Sequence, residues 1–367
     1  MTIAEKILKP TKAGIFRSVF LYTGQGETTL LIIPTGPNPS DYMYVLLDSD
    51  LDKEPKEVDL VRLFKDLFKN SGALAVFINT HPHDDHLGGI KEIYDEVGFK
   101  EVWHSNHNPG KKKGDSFEDF KYVLKKVGKA NEYHLKGTSE ANKIRKTDDT
   151  EVIKKLGNVD YIILSPAEYL CDEIEGEKPD VRYSRIHEQC GVLKFTYGKK
   201  PKSILFTGDS DKEAWQSHIT DYHKKRLSAI VLSASHHGSR TFFKTDEDDE
   251  DVYVDHIEAI EPAYIIISAP KQEDSPHDHP HDDAMELYKQ YVDEDGIYHL
   301  GDGPDSVIVD IDDEGNLSID TDTELIEAYS DDGDDGEDGG KYKNLSKSYP
   351  YIVPSTTRID NKPMGQI

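Results

Sequence analysis

Three imidazoles and two carboxylates fall within six residues of this chain, in the string Thr80-His81-Pro82-His83-Asp84-Asp85-His86-Leu87-Gly88-Gly89. Histidine nitrogens mixed with carboxylate oxygens suit zinc, manganese or iron better than calcium or magnesium. Three more polar strings carry residues of the same kind. They are Thr207-Gly208-Asp209, Ser235-His236-His237-Gly238-Ser239 and Pro276-His277-Asp278-His279-Pro280-His281.

Each of the four strings follows an apolar run, which sets what must position it. Ala73-Leu74-Ala75-Val76-Phe77-Ile78 reads as a buried strand,. The residues after Gly89 read as a helix start, so the first string is a turn between strand and helix. Residues 203–206, 229–232 and 263–268 are the strands ahead of the other three. Further strands are expected at 42–47, 101–104, 161–164, 191–197, 306–311 and 317–319. A pair within 16–33 would turn at Gly24-Gln25-Gly26-Glu27,. Val58, Val61, Leu63, Phe64, Leu67 and Phe68 recur at helical spacing, and helices are also expected at 90–97, 254–260 and 284–291,. Strands ending in polar loops, with helices between several of them, make a layered α/β arrangement.

The 367 residues can bury a full core, and the formal net charge is −27,. An acidic field of that size argues against whole-surface binding to nucleic acid or anionic membrane. Two cysteines, Cys171 and Cys190, exclude a disulfide framework and a four-cysteine zinc site,. The first ten residues contain no signal-like apolar stretch, and no stretch is long and apolar enough to span a bilayer,. The expectation is a soluble cytoplasmic protein.

Residues 1–329 read as one domain. Inside it, residues 105–158 stand out as a basic insertion: Lys111 to Lys155 holds twelve lysines and one arginine against eight acids, a net of +5. The insertion is either a solvated segment or a rim for an anionic substrate. Residues 330–340 form an acidic, low-complexity linker, and 341–367 a tail with enough apolar residues to dock,.

His81-x-His83-x-Asp85-His86 resembles the signature of the metallo-β-lactamase superfamily. Leu21-Tyr22-Thr23-Gly24-Gln25-Gly26-Glu27, Leu205-Phe206-Thr207-Gly208-Asp209, His236-His237-Gly238-Ser239 and His279-Pro280 are similar to motifs of its ComEC-type branch, which includes nuclease-like domains and a phosphorylcholine esterase. The resemblance spans roughly residues 16–319. It implies an αββα sandwich with two divalent metal ions, zinc or manganese, at one edge. His81 and His83 would hold one metal, and Asp85 and His86 the other. Asp209 would bridge them, and His236 is favoured over His237 to complete the second site. His237 is then left to contact the scissile phosphate, with Asp85 and Asp209 orienting water. His187, Arg240 and His279 are candidates for substrate binding. Two departures are Asp48-Ser49-Asp50, where the family usually has an aspartate, a small residue and glycine, and Glu27, where it more often has aspartate.

Two cations side by side would acidify a water and neutralise a phosphoryl oxygen. The expected function is therefore metal-dependent hydrolysis of phosphodiester bonds, as a nuclease or on a nucleotide. The alternatives are hydrolysis of a small phosphoester or cyclic nucleotide, and a regulatory or assembly subunit that engages a protein partner through its C-terminal tail.

Overall fold

Two β-sheets lie face to face in the computed structural model, which describes residues 1–51, 57–69, 72–110, 114–303 and 305–330. The larger sheet has ten strands. Their spatial order is Leu317–Asp320, Val307–Asp312, Ile15–Phe20, Thr29–Pro34, Tyr42–Leu47, Leu74–Asn79, Phe99–His104, Glu132–His134, Lys143–Lys146 and Glu151–Ile153. The smaller has six, in the order Ile297–His299, Tyr264–Ile267, Val231–Ser233, Lys202–Phe206, Val192–Tyr197 and Asp160–Ser165.

Period-two alternation explains the layering. From the larger sheet Phe20, Val45, Leu47, Val76, Ile78 and Trp103 face inward. They meet Phe195, Ile204, Phe206, Val231 and Ile266 of the smaller sheet in one dry core. Phe20 stacks on Phe206 across the interface, with ring centres 5.6 Å apart. The alternate residues of the larger sheet, Leu46, Phe77 and Val102 among them, pack outward against the helices Leu60–Leu67, Ile90–Val97 and Asp115–Val127. On the smaller sheet, Leu205, Leu232 and Ile265 lie against Trp215, Phe242 and the helix Asp282–Tyr291. The order is helix, sheet, sheet, helix, the αββα sandwich.

Four adjacent strands of the larger sheet run parallel, from Tyr42–Leu47 to Glu132–His134. Four of the smaller sheet do the same, from Lys202–Phe206 to Ile297–His299. All the polar strings leave carboxyl ends of these parallel strands, the edge where open α/β sheets gather their sites.

The stretch set apart as a basic insertion is built into the larger sheet. It supplies the helix Asp115–Val127, whose Phe120 and Val123 are buried, and the three short strands that end the sheet on one side. Many of its cations are engaged locally. Lys136 reaches Asp149 at 2.8 Å, Lys143 reaches Glu151 at 2.6 Å, and Lys154 reaches Glu101 at 2.7 Å. Lys111–Lys113, nearly all of the proposed linker and the tail lie outside the described residues. Among the described residues no helix is long and apolar enough to cross a membrane.

Candidate metal centre

The strand Leu74–Asn79 ends one residue before Thr80, and the chain then folds into a tight turn at Asp84–His86. Asn79 secures that turn: its amide lies 2.8 Å from the His81 carbonyl and 3.2 Å from the His86 carbonyl. On the neighbouring parallel strand, buried Asp48 accepts from the Thr80 backbone N–H at 2.8 Å and from the Thr80 hydroxyl at 2.6 Å. Asp209 arrives from the other sheet through Gly208, whose φ is +48°. A side chain at Gly208 would place its Cβ 2.7 Å from both Cys190 Sγ and Thr80 Oγ1. Only glycine lets this turn pass so close beneath the histidine loop.

Two groups of donors result, and they share Asp209. His81, His83, His187 and Asp209 form one; Asp85, His86, His237 and Asp209 form the other. In the first, His81 Nε2 and His83 Nδ1 face one another at 3.0 Å, and His187 Nε2 is 3.4 Å from His83 Nδ1. Asp209 Oδ2 stands 3.5 Å from His81 Nε2 and 3.8 Å from His187 Nε2. In the second, His86 Nε2 is 3.0 Å from Asp209 Oδ1 and 3.3 Å from His237 Nε2, which is 3.4 Å from Asp85 Oδ2.

Hydrogen bonds on the far side of each ring decide what these nitrogens offer. The Thr80 hydroxyl spends its proton on Asp48, so at 3.2 Å from His81 Nδ1 it can only accept from that ring. His86 Nδ1 donates to Asp48 Oδ2 at 2.9 Å, and His237 Nδ1 donates to the Ser268 carbonyl at 2.8 Å. In each neutral ring the proton is therefore on Nδ1 and the lone pair on Nε2, the atom turned to the centre. Both oxygens of Asp209 are buried without an aligned hydrogen-bond donor. In the neutral rings, lone pairs converge with the carboxylate oxygens, which is the donor set of a cation. The residues present fit two metal ions. Asp48 then acts as the outer carboxylate that orients a ligand imidazole.

The charges agree. Burial opposes ionisation of Asp209, but His86, His236, His237 and His81 outweigh it and hold the carboxyl well below its usual range. Burial would likewise depress His237, yet Asp209 and Asp85 raise it to about 9; Asp209, Asp48 and Asp85 raise His86 in the same way. Burial lowers His187 to about 4 and keeps it neutral. Without a cation, protons on His86 and His237 partly balance the carboxylates, and a metal must displace them.

The arrangement departs from the sequence expectation at the paired histidines. The second group contains His237, where His236 was favoured. Both residues are left-handed, with φ of 51° and 57°, a conformation uncommon outside glycine,. The His236 N–H donates to the Gly208 carbonyl at 3.0 Å and fixes the turn. His237 is thereby swung to Asp85 and His86, while His236 Nε2 stays 3.5 Å from Asp209 Oδ2. His187, expected at the substrate, sits among the donors of the first group. Arg240 is engaged by Asp283 at 3.1 Å, and His279 lies beside His236 with ring centres 5.1 Å apart. Asp48 is the site residue that sequence reasoning missed. Its signal was its place directly after an apolar strand, in the loop register next to the histidine string.

A third group, His104, Glu132 and His134, has metal-like composition but different bonding. The Asn106 N–H donates to His104 Nδ1 at 3.2 Å, so the His104 proton is on Nε2, 3.3 Å from Glu132 Oε1. On the helix-facing side of the sheet, Glu132 is thus engaged by His104, and His134 Nε2 lies 3.6 Å from the same oxygen.

No protein-family model and no curated protein matches the chain. Among solved structures it is similar to Igni18, a metallo hydrolase from the archaeon Ignicoccus hospitalis KIN4/I. The identity is 13% and the TM-score 0.42, over 83% of this chain and 98% of that one. It is also similar to CmlA, a diiron β-hydroxylase from Streptomyces venezuelae, at 14% identity and a TM-score of 0.42 over 79% of this chain and 53% of that one. A third is the metallo-β-lactamase SMB-1, at 16% identity and a TM-score of 0.31 over 66% of this chain and 91% of that one.

Proposed function

We propose that this protein is a metal-dependent hydrolase of phosphodiester bonds, and that its substrate is a small diester or nucleotide rather than a long polynucleotide. The observation that carries the reading is the pair of donor groups joined through Asp209. Bound divalent cations, zinc or manganese, would supply Lewis acidity for a phosphoryl oxygen and bring a water's pKa near neutrality.

The chain's own residues hold that chemistry in place. Asp48, the Ser268 carbonyl and Thr80 hold the Nδ1 protons of His86, His237 and His81, so that Nε2 is the nitrogen left for a cation. In the second donor group His86 is fully buried and His237 is 2% exposed, while Asp85 is the member open to solvent. A thiol nucleophile is not available. Burial pushes the Cys190 thiol well up, and its sulfur accepts the Asp209 N–H at 3.3 Å,. The acidic field supports a small anionic substrate, because duplex backbone must be neutralised by several cations,.

The test is an activity panel on protein loaded with zinc or with manganese. It covers bis-p-nitrophenyl phosphate, cyclic nucleotides, single- and double-stranded DNA, RNA, a thioester and a β-lactam. Turnover of the small diesters supports the reading. Cleavage of polynucleotides alone would show the substrate assignment to be wrong, and turnover of none of the phosphoesters would overturn the reaction class.

A further inference from the structure

The Gly24-Gln25-Gly26-Glu27 turn joins two strands of the larger sheet, yet it reaches the loops of the smaller one. Glu27 accepts from the Ser233 hydroxyl at 2.7 Å, at the end of the strand that carries His236 and His237. Gln25 reaches the His279 loop at two points. Its Oε1 accepts from the Ser275 hydroxyl at 2.7 Å, and its Nε2 lies 3.1 Å from His279 Nδ1.

Proton accounting makes this chain directional. The Ser275 oxygen receives the backbone N–H of His277 at 3.2 Å and of His279 at 3.0 Å. Neither N–H can accept, so the hydroxyl proton goes to Gln25. The atom of Gln25 facing Ser275 is then its carbonyl oxygen, and the atom facing His279 is its NH2. An NH2 can only donate, so His279 Nδ1 must hold a lone pair and the ring proton must be on Nε2. This is the reverse of His81, His86 and His237, whose Nδ1 atoms donate. His279 is 4% exposed, with its ring 5.1 Å from that of His236 and 6.0 Å from that of His237. Among the described residues its Nε2 has no partner.

We propose that His279 is the histidine of this centre that donates rather than ligates. Its Nε2–H is held ready for an anionic oxygen of the substrate, and Gln25, pinned by Ser275, is the positioning residue that imposes the tautomer. The substrate half of this inference rests on the phosphodiester reading above; the tautomer half does not. It also gives Gln25 a role that its glycine-flanked turn alone would not predict. A Nε2 carrying a proton has no lone pair for a metal, so His279 stands outside both donor groups although it is as buried as their members.

The experiment uses the full chain, 15N-labelled and zinc-loaded, with long-range 1H–15N correlation spectra of the imidazoles. The wild type should show His279 protonated at Nε2 with Nδ1 bare. In Gln25→Glu an accepting carboxylate faces Nδ1, so the His279 ring proton should move from Nε2 to Nδ1 and Nε2 should no longer donate. The value of kcat/KM for bis-p-nitrophenyl phosphate should fall about 10- to 100-fold, the span expected for losing one hydrogen bond to a charged oxygen, with metal content unchanged. Ser275→Ala frees the Gln25 amide to rotate and also removes the acceptor of the His277 and His279 N–H groups; it should give mixed tautomers and is the second variant should Gln25→Glu not fold. A wild-type His279 protonated at Nδ1, or one whose tautomer ignores both substitutions, overturns the inference. Correct tautomers in a protein that turns over no phosphodiester would instead overturn the reaction assignment and leave the relay standing.

Discussion

Replacing Asp48 by asparagine tests how far the centre depends on a residue that touches no metal. Asparagine matches the shape of aspartate and tolerates the left-handed backbone that Asp48 adopts, with φ of 52°,. Asp48 Oδ1 accepts from the Thr80 N–H and from Asn79, and Oδ2 from the Thr80 hydroxyl and His86 Nδ1. An asparagine that keeps its oxygen toward the two N–H donors must turn its NH2 toward the hydroxyl and the imidazole. The Thr80 hydroxyl can rotate and accept. His86 can accept only by moving its proton to Nε2, and that removes the lone pair facing Asp209. Loss of such an outer partner costs about 10- to 100-fold in metal affinity. This corresponds to about 1.4–2.8 kcal/mol. Competition against a chromogenic chelator at neutral pH reads the affinity directly, and melting of the metal-free protein checks that the fold survives. A natively folded Asp48→Asn that binds zinc within about twofold of the wild type would refute the claim that tautomer control underlies the site.

Asp209→Asn should cost more than Asp48→Asn, because it weakens both groups at once. Metal content should fall for both ions, with hydrolysis reduced by more than about 100-fold, beyond the upper end for outer partners. In the metal-free protein, His237 sits near 9 when folded against about 6.5 when unfolded,. The stabilisation from its proton is full below about pH 6.5 and is lost as pH rises through about 9. Melting temperature of the metal-free protein should therefore fall across that window, and His237→Gln should flatten the fall; an unchanged slope in the variant would count against the assignment. Zinc binding should strengthen over the same window as those protons leave, measurable by calorimetry in buffers of different ionisation enthalpy. Phe195→Ala, deep between the sheets, should lower stability by about 3–5 kcal/mol while leaving zinc affinity unchanged, as read by denaturant melts and chelator competition,.

The most legible parts of the molecule were those where one short string carries both the structural and the chemical signal. Residues 73–78 are apolar enough to demand burial, and the string after them is too rich in ligand atoms for an ordinary turn. The same holds for Leu205-Phe206 ahead of Gly208-Asp209. The strands Glu132–His134, Lys143–Lys146 and Glu151–Ile153 were not legible, because they are short and charged, as exposed edges of sheets tend to be,. Their charge made residues 105–158 look like an appendage instead of the sheet's rim. The choice between His236 and His237 depends on two successive left-handed residues, which no side-chain pattern encodes. Asp48 and Gln25 act by accepting or donating a proton across distances of 38 and 254 residues along the chain. Such roles appear only when donors and acceptors are counted in space.

The central claim is a centre of two cations bridged by Asp209. Anomalous diffraction at the zinc edge, on crystals of zinc-loaded full-length protein, tests it most directly. The expected result is two peaks, one among His81, His83, His187 and Asp209, the other among Asp85, His86, His237 and Asp209. A single peak, a peak at His104, Glu132 and His134, or Asp209 bound to neither ion would contradict it.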